Sequence, residues 1–126
     1  MHPFGEAMWS GDVDAAVALL ADDVEFRSPV VFAPYHGRDA AAPLLYAVAQ
    51  VFHDFHYTWE IGGDSPDHAL VFEARVGDRH IEGCDFLHVG PSGAIDRLVV
   101  MVRPMSAVLA LAEAMKAQLE SAPDGR

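Results

Sequence analysis

Apolar positions recur at helical spacing over Asp12–Ala21, where Val13, Ala16, Val17 and Leu20 form one stripe. Asp12 suits the N-cap after Gly11, and Asp22-Asp23 closes the segment; Met8 and Trp9 extend the helix backward across an interruption near Gly11. Val24–Ser28 then alternates, with Val24, Phe26 and Ser28 on one face, and Pro29 breaks that strand or confines it to an edge. The stretch Val31–Gly37 reads as a loop containing Pro34. Asp39 is the expected cap of a second helix, which tolerates Pro43 near its first turn. Its apolar face is Leu44, Leu45, Val48, Val51 and Phe52.

From about His56 the period changes from helical to alternating, which places Tyr57, Trp59 and Ile61 on one face of a strand. After the turn Gly62–Asp67, Leu70, Phe72, Ala74 and Val76 face one way, and Gly77-Asp78 marks a hairpin. The next strand puts Ile81, Gly83, Asp85, Leu87 and Val89 on one face and His80, Glu82, Cys84, Phe86 and His88 on the other. A second hairpin at Gly90–Gly93 leads into Ile95–Arg103, nearly all apolar, as expected of a central strand covered on both faces. Ser106 can cap a final helix carrying Val108, Leu111, Ala112, Met115 and Leu119, and the tail 121–126 is expected to fray. No repeat or linker interrupts the order, so 1–126 is expected to be one α+β domain, with a curved sheet wrapped by helices. Such a concave sheet leaves room for a cavity.

Composition narrows the class. A chain of 126 residues with 52% apolar content can build one core. The formal charge of −11 opposes binding to nucleic acid, which needs Lys and Arg to neutralise phosphates. One cysteine, Cys84, allows no internal disulfide, the N-terminus lacks the regions of a signal peptide, and no apolar run is long enough for a membrane span. These features point to a cytoplasmic protein with no membrane partner.

Asp85 is the residue with most chemical content. Strand parity turns its carboxyl toward Ile81, Leu87 and Val89, where an unpaired carboxylate costs several kcal/mol. It must therefore find a partner or stay protonated. Two readings remain open: a structural acid bonded to a backbone amide, Ser28 or Tyr57, or a working acid in a pocket. If the concave side is hollow, its wall is expected from Phe26, Ser28, Phe52, Phe55, Tyr57, Trp59, Phe72, Leu87, Leu98, Val100 and Val102, around an apolar small molecule. His53 and His56 read as a surface pair, so no metal is expected, nor any cofactor; His80 and His88 lie on the polar strand face, and His36 precedes Gly37 near the pocket mouth.

The segments Gly11-Asp12-Val13-Asp14-Ala15, Ala21-Asp22-Asp23-Val24, His36-Gly37-Arg38-Asp39 and Cys84-Asp85-Phe86-Leu87, in this order and spacing, resemble ketosteroid isomerases and other SnoaL-like proteins of the nuclear transport factor 2-like superfamily. That resemblance implies a cystatin-like cone, a strongly curved antiparallel sheet with an extra C-terminal helix here, and a homodimer through the outer sheet face. In the isomerases an aspartate base shuttles a proton while a tyrosine and a neutral aspartic acid stabilise the dienolate. By this resemblance the neutral acid falls on Asp85, the base on Ser28 and the tyrosine on Phe4. Two of the three groups are therefore replaced by residues unable to do their work. Limonene epoxide hydrolases offer a second likeness, but Arg103 lies at odd parity to Leu98, Val100 and Val102 and no second acid shares the face of Asp85. Polyketide cyclases of the SnoaL type use one carboxylate, which Asp85 could supply. The expected function is thus a small-molecule-binding domain anchored by Asp85; the alternatives are a single-carboxylate isomerase, cyclase or epoxide hydrolase, and a protein-interaction module.

Overall fold

The computed structural model describes residues 1–121; residues 122–126, most of the tail expected to fray, lie outside the described part. Helix α1 (Pro3–Ser10) starts at Pro3, whose missing N–H costs nothing in a first turn, and stops at Gly11, whose φ of 82° closes it in the left-handed region. Asp12 caps α2 (Val13–Ala18), accepting from the Ala15 N–H at 3.1 Å. The helical stripe ends earlier than its pattern predicts, because Leu20 through Asp23 belong to the first strand, β1 (Leu20–Arg27). The two aspartates do not stop a helix but ride the exposed part of that strand, which pairs with β6.

Within the loop after Pro29 lies a two-residue strand, β2 (Tyr35–His36), on the sheet edge. Helix α3 (Arg38–Val51) is capped at Gly37 without a side-chain bond, so Asp39 sits in its first turn rather than capping it, and Pro43 is deeper inside than expected. The meander follows as β3 (His53–Ile61), β4 (Asp67–Val76), β5 (Arg79–Val89) and β6 (Ile95–Arg103), and α4 (Met105–Ser121) completes the described chain. Helix α4 begins one residue before Ser106; the carbonyl of Pro104 accepts from Ala107 and Val108.

The six strands form one sheet in the order β2-β1-β6-β5-β4-β3. All neighbours are antiparallel except β1 and β6, which run parallel from Leu20↔Ile95 to Arg27↔Val99. The inner face buries Val24, Leu70, Phe72, Ile81, Leu87, Ile95 and Leu98 against Phe4, Ala16, Ala41, Leu45 and Leu111 from the helices. Strand parity holds along β4 and β5, is displaced on β6 by an extra residue at Asp96, so that Ile95 and Leu98 both face inward, and fails on β3. Extra residues at Asp54–Phe55 and at Thr58 interrupt its register with β4, and Asp54 takes a φ of 54° at the first of them. Tyr57 pairs with the inward Phe72, whereas Trp59 pairs with the outward Val71. The expected common face of Tyr57, Trp59 and Ile61 is therefore split: Tyr57 is buried, and Trp59 is 63% exposed on the outer face beside Ile61. The outer face of β6 also stays open within this chain, with Met101 59% exposed.

Candidate functional site

A cavity of about 580 Å³ occupies the concave side of the sheet, within the range of small-molecule sites. Its sheet wall comes from alternate inward positions, Phe26 on β1, Phe55 on β3, Phe72 on β4, Asp85 on β5, and Leu98, Val100 and Val102 on β6. Phe52 at the end of α3 stacks on Phe55 with ring centres 5.8 Å apart, and both tilt against Phe72. Ser28 joins the rim with Pro29, Val30 and Val31. Of the residues expected at the wall, Trp59 is excluded because the Thr58 bulge turns it outward, and Leu87 is absent because it is packed in the solid core. Tyr57 stands one layer behind the wall.

Helices supply most of the remainder, with Tyr35 of β2 and Gly11 after α1. Phe4, Met8 and Trp9 come from α1, Leu44 and Val48 from α3, and Leu111, Met115 and Leu119 from α4. The periodic stripe of α4 is visible in the sequence; its position over the cavity is not, because nothing local fixes where a terminal helix docks. Lys116 and Glu120 place one charge of each sign among the lining residues contributed by α4.

Asp85 is the one buried charged residue of the described core, 7% exposed. Its Oδ2 accepts from the Tyr57 hydroxyl at 2.8 Å, which selects one of the three partners the sequence allows. Among the described residues that is its one side-chain hydrogen bond. Burial pushes the carboxyl up to about 7, and the Tyr57 bond only partly offsets it. The same burial, together with the neighbouring carboxylate, drives the Tyr57 phenol far above its ordinary value, so Tyr57 stays a donor. On the opposite face, burial and Asp85 push Cys84 up to about 11, which keeps the thiol protonated at neutral pH. The arrangement is a neutral-or-charged carboxyl, oriented by a phenol, at the wall of an apolar chamber.

Ser28 and Phe4, where the resemblance leads one to expect the isomerase base and tyrosine, have other contacts in the structure. The Ser28 hydroxyl accepts from the amides of Val30 at 3.3 Å and Val31 at 3.0 Å, pinning the turn after β1. Phe4 is a buried wall residue with no polar atom in its side chain. Arg103 points outward and pairs with Glu82 at 2.9 Å, away from Asp85. His53 and His56 lie on the outer side of β3, and no group of three metal-ligating side chains occurs among the described residues. His36 is exposed and does not line the cavity, contrary to its expected place near the mouth. No helix among the described residues is long and apolar enough to cross a membrane.

The profile of the SnoaL-like domain matches residues 3–98, and the chain belongs to that family. Two solved structures share more than a third of its sequence. A steroid delta-isomerase from Pseudomonas aeruginosa is 37% identical, with 92% of this chain and 85% of that one covered and a TM-score of 0.87. A bacterial protein with a cystatin-like fold from Silicibacter pomeroyi is 36% identical, covering 96% and 88%, with a TM-score of 0.88. At 19% identity and a TM-score of 0.66, covering 82% and 86%, the epoxide hydrolase/cyclase-like enzyme of pyran ring formation in the polyether salinomycin shares the fold. None of the functionally curated proteins matches.

Proposed function

We propose that this SnoaL-like protein binds an apolar small molecule carrying one uncharged hydrogen-bonding group, with Asp85 as its polar anchor. The observation that carries this reading is Asp85, bonded to Tyr57 behind it, at the wall of a largely apolar and aromatic cavity. A carboxyl that titrates near neutral pH can donate to a carbonyl or accept from a hydroxyl, whereas a ligand carboxylate beside it would be repelled once Asp85 ionises. A hollow of this size favours a small-molecule role over that of a protein-interaction module. Thermal shift against a panel of apolar ketones and alcohols tests it. Wild type should gain stability with some members, Asp85→Leu should gain none, and equal shifts for both proteins would refute the anchor. Trp9, which lines the cavity and meets Tyr57 edge-on at 6.2 Å, gives a second readout through its fluorescence.

A second reading, an enzyme working through a single carboxylate, is favoured by the Asp85 pKa of about 7, where a general acid–base group is most useful. The steroid isomerase relative does not carry its activity over. With Ser28 and Phe4 at the positions of base and tyrosine, no useful isomerisation of a Δ5-3-ketosteroid is expected by the usual route. Turnover of such an enone at ~1–1000 per second would show that another group supplies the base.

The outer sheet face supports a homodimer. Trp59, Ile61, Phe86 and Met101 are exposed there, flanked by the ion pairs Arg97–Glu25 and Arg103–Glu82. Such a patch is larger than scattered surface apolar residues and fits a self-complementary contact. Sedimentation at micromolar concentration should return twice the chain mass; a monomer would leave the patch without an occupant.

A further inference from the structure

At the end of the molecule where α1 begins, the imidazole of His2 serves as the N-cap of that helix. Its Nδ1 accepts from the Phe4 amide at 3.0 Å, while the His2 carbonyl takes the amides of Gly5 and Glu6. The Phe4 N–H thus has an imidazole nitrogen as its partner, a role usually filled by Ser, Thr, Asp or Asn. An imidazole can accept there only when Nδ1 carries no proton. The ring of His68 on β4 stands 5.0 Å away, and its own Nδ1 is buried with no hydrogen-bond partner among the described residues. The helix held by this cap supplies Phe4, Met8 and Trp9 to the cavity wall.

We propose that His2 is a pH-sensitive cap, and that its protonation frees the first turn of α1 and loosens the wall of the cavity that this helix forms. The proton would have to take the lone pair that holds the Phe4 amide, so cap and charge exclude one another. The groups around the ring set the balance. Burial, His68 and the chain's amino group oppose the charge on His2, Glu60 on β3 favours it, and the neutral form prevails, with the pKa held below its ordinary value. Glu60 already accepts the His2 backbone N–H at 2.8 Å and lies 3.7 Å from the amino group, so it is engaged before any proton arrives. His2, Glu60 and His68 line a surface cleft to which Asp64 also contributes, from the turn before β4, and Glu6 is the acid in the first turn of α1 itself. Because the folded form binds its proton less readily than the unfolded chain, the cap's contribution is complete above the ordinary imidazole value and is lost as pH falls through the lowered one. Loosening of the wall in this way does not depend on whether Asp85 anchors a ligand.

Amide exchange and nitrogen-15 spectra of the unliganded protein test it, against His2→Asn, which retains a good cap and cannot titrate. Between pH 7 and pH 5 the protection factor of the Phe4 amide should fall about tenfold in wild type, the factor one cap is worth. The Trp9 indole signal should shift with the same midpoint. Neither change should occur in His2→Asn. Equal behaviour of the two proteins, or no change in wild type, overturns the proposal. Should the variant fail to fold, the His2 ring of wild type decides. A neutral tautomer protonated on Nε2 with a midpoint below 6.5 is expected, and the opposite tautomer or a midpoint at or above that value refutes the cap.

Discussion

Asp85→Asn is expected to stabilise the protein by roughly 2–4 kcal/mol at pH 8 and to leave it nearly unchanged at pH 4, since each pH unit of displaced titration is worth about 1.4 kcal/mol. The folded carboxyl titrates at about 7 because it is buried, whereas in the unfolded chain it returns to its ordinary value near 4. Between those values the folded protein holds a proton that the unfolded chain has released. The unfolded state therefore binds fewer protons, and stability falls as pH rises through this window. Above it both states are ionised and the full penalty of a buried charge remains. Asparagine can present a carbonyl to the Tyr57 hydroxyl, which donates to Asp85 at 2.8 Å in this structure, and it removes the titration. Urea midpoints of both proteins at pH 4, 6 and 8 measure the effect, and parallel pH profiles would show that Asp85 is not the titrating group. The same variant should weaken an apolar ketone bound through the acid proton. Stability gained together with binding lost is the pattern expected of a group kept for its function.

The second large effect concerns Phe72 and Gly83. Phe72 is 1% exposed and its ring lies over Gly83 on the neighbouring strand, where a β-carbon would collide with it. The same β-carbon would approach the Met101 carbonyl to 2.9 Å. Phe72→Ala should cost about 3–5 kcal/mol, through lost transfer energy and the void left behind. Gly83→Ala should cost roughly 1–3 kcal/mol by overpacking. Together they should cost less than the sum by about 0.5–3 kcal/mol, because the smaller residue at 72 clears the space the methyl needs. Strict additivity in urea unfolding would mean that the Met101 carbonyl, not the ring, sets the cost at residue 83.

How much of this structure is legible in the sequence follows from the range of the forces concerned. The inward placement of Asp85 is legible, because β5 keeps an unbroken two-residue period and a single polar side chain stands out among Ile81, Leu87 and Val89. The meander and its hairpins are legible for the same reason, along with the family resemblance. Parity misplaces Trp59 because a bulge changes face without changing composition: nothing in Tyr57-Thr58-Trp59 marks Thr58 as the extra residue, and the register is decided by β4. The beginning of β1 is hidden because Leu20 fits the helical stripe as well as the strand, and pairing with Ile95 settles the matter. The partner of Asp85 stays open among three because side-chain bonding across strands depends on angles that spacing does not encode. The roofing of the cavity by α1 and α4 is unreadable, since it depends on docking over distances that no local pattern reports.

The parallel contact of β1 with β6 has a consequence for how the chain comes into being. A ribosome releases β1 first, yet the strand beside it, with which it must form its longest ladder, begins only at Ile95. Until then Val24 and Phe26 have just the two-residue β2 alongside, and a sheet edge waits unpaired through most of synthesis. The β3–β5 meander can assemble from neighbouring segments as it emerges, whereas β1 must be held in reserve across roughly seventy residues, a separation that slows closure. Nascent chains halted before residue 95 should therefore be more prone to stick to one another than complete ones, through an exposed strand edge that the finished protein does not present.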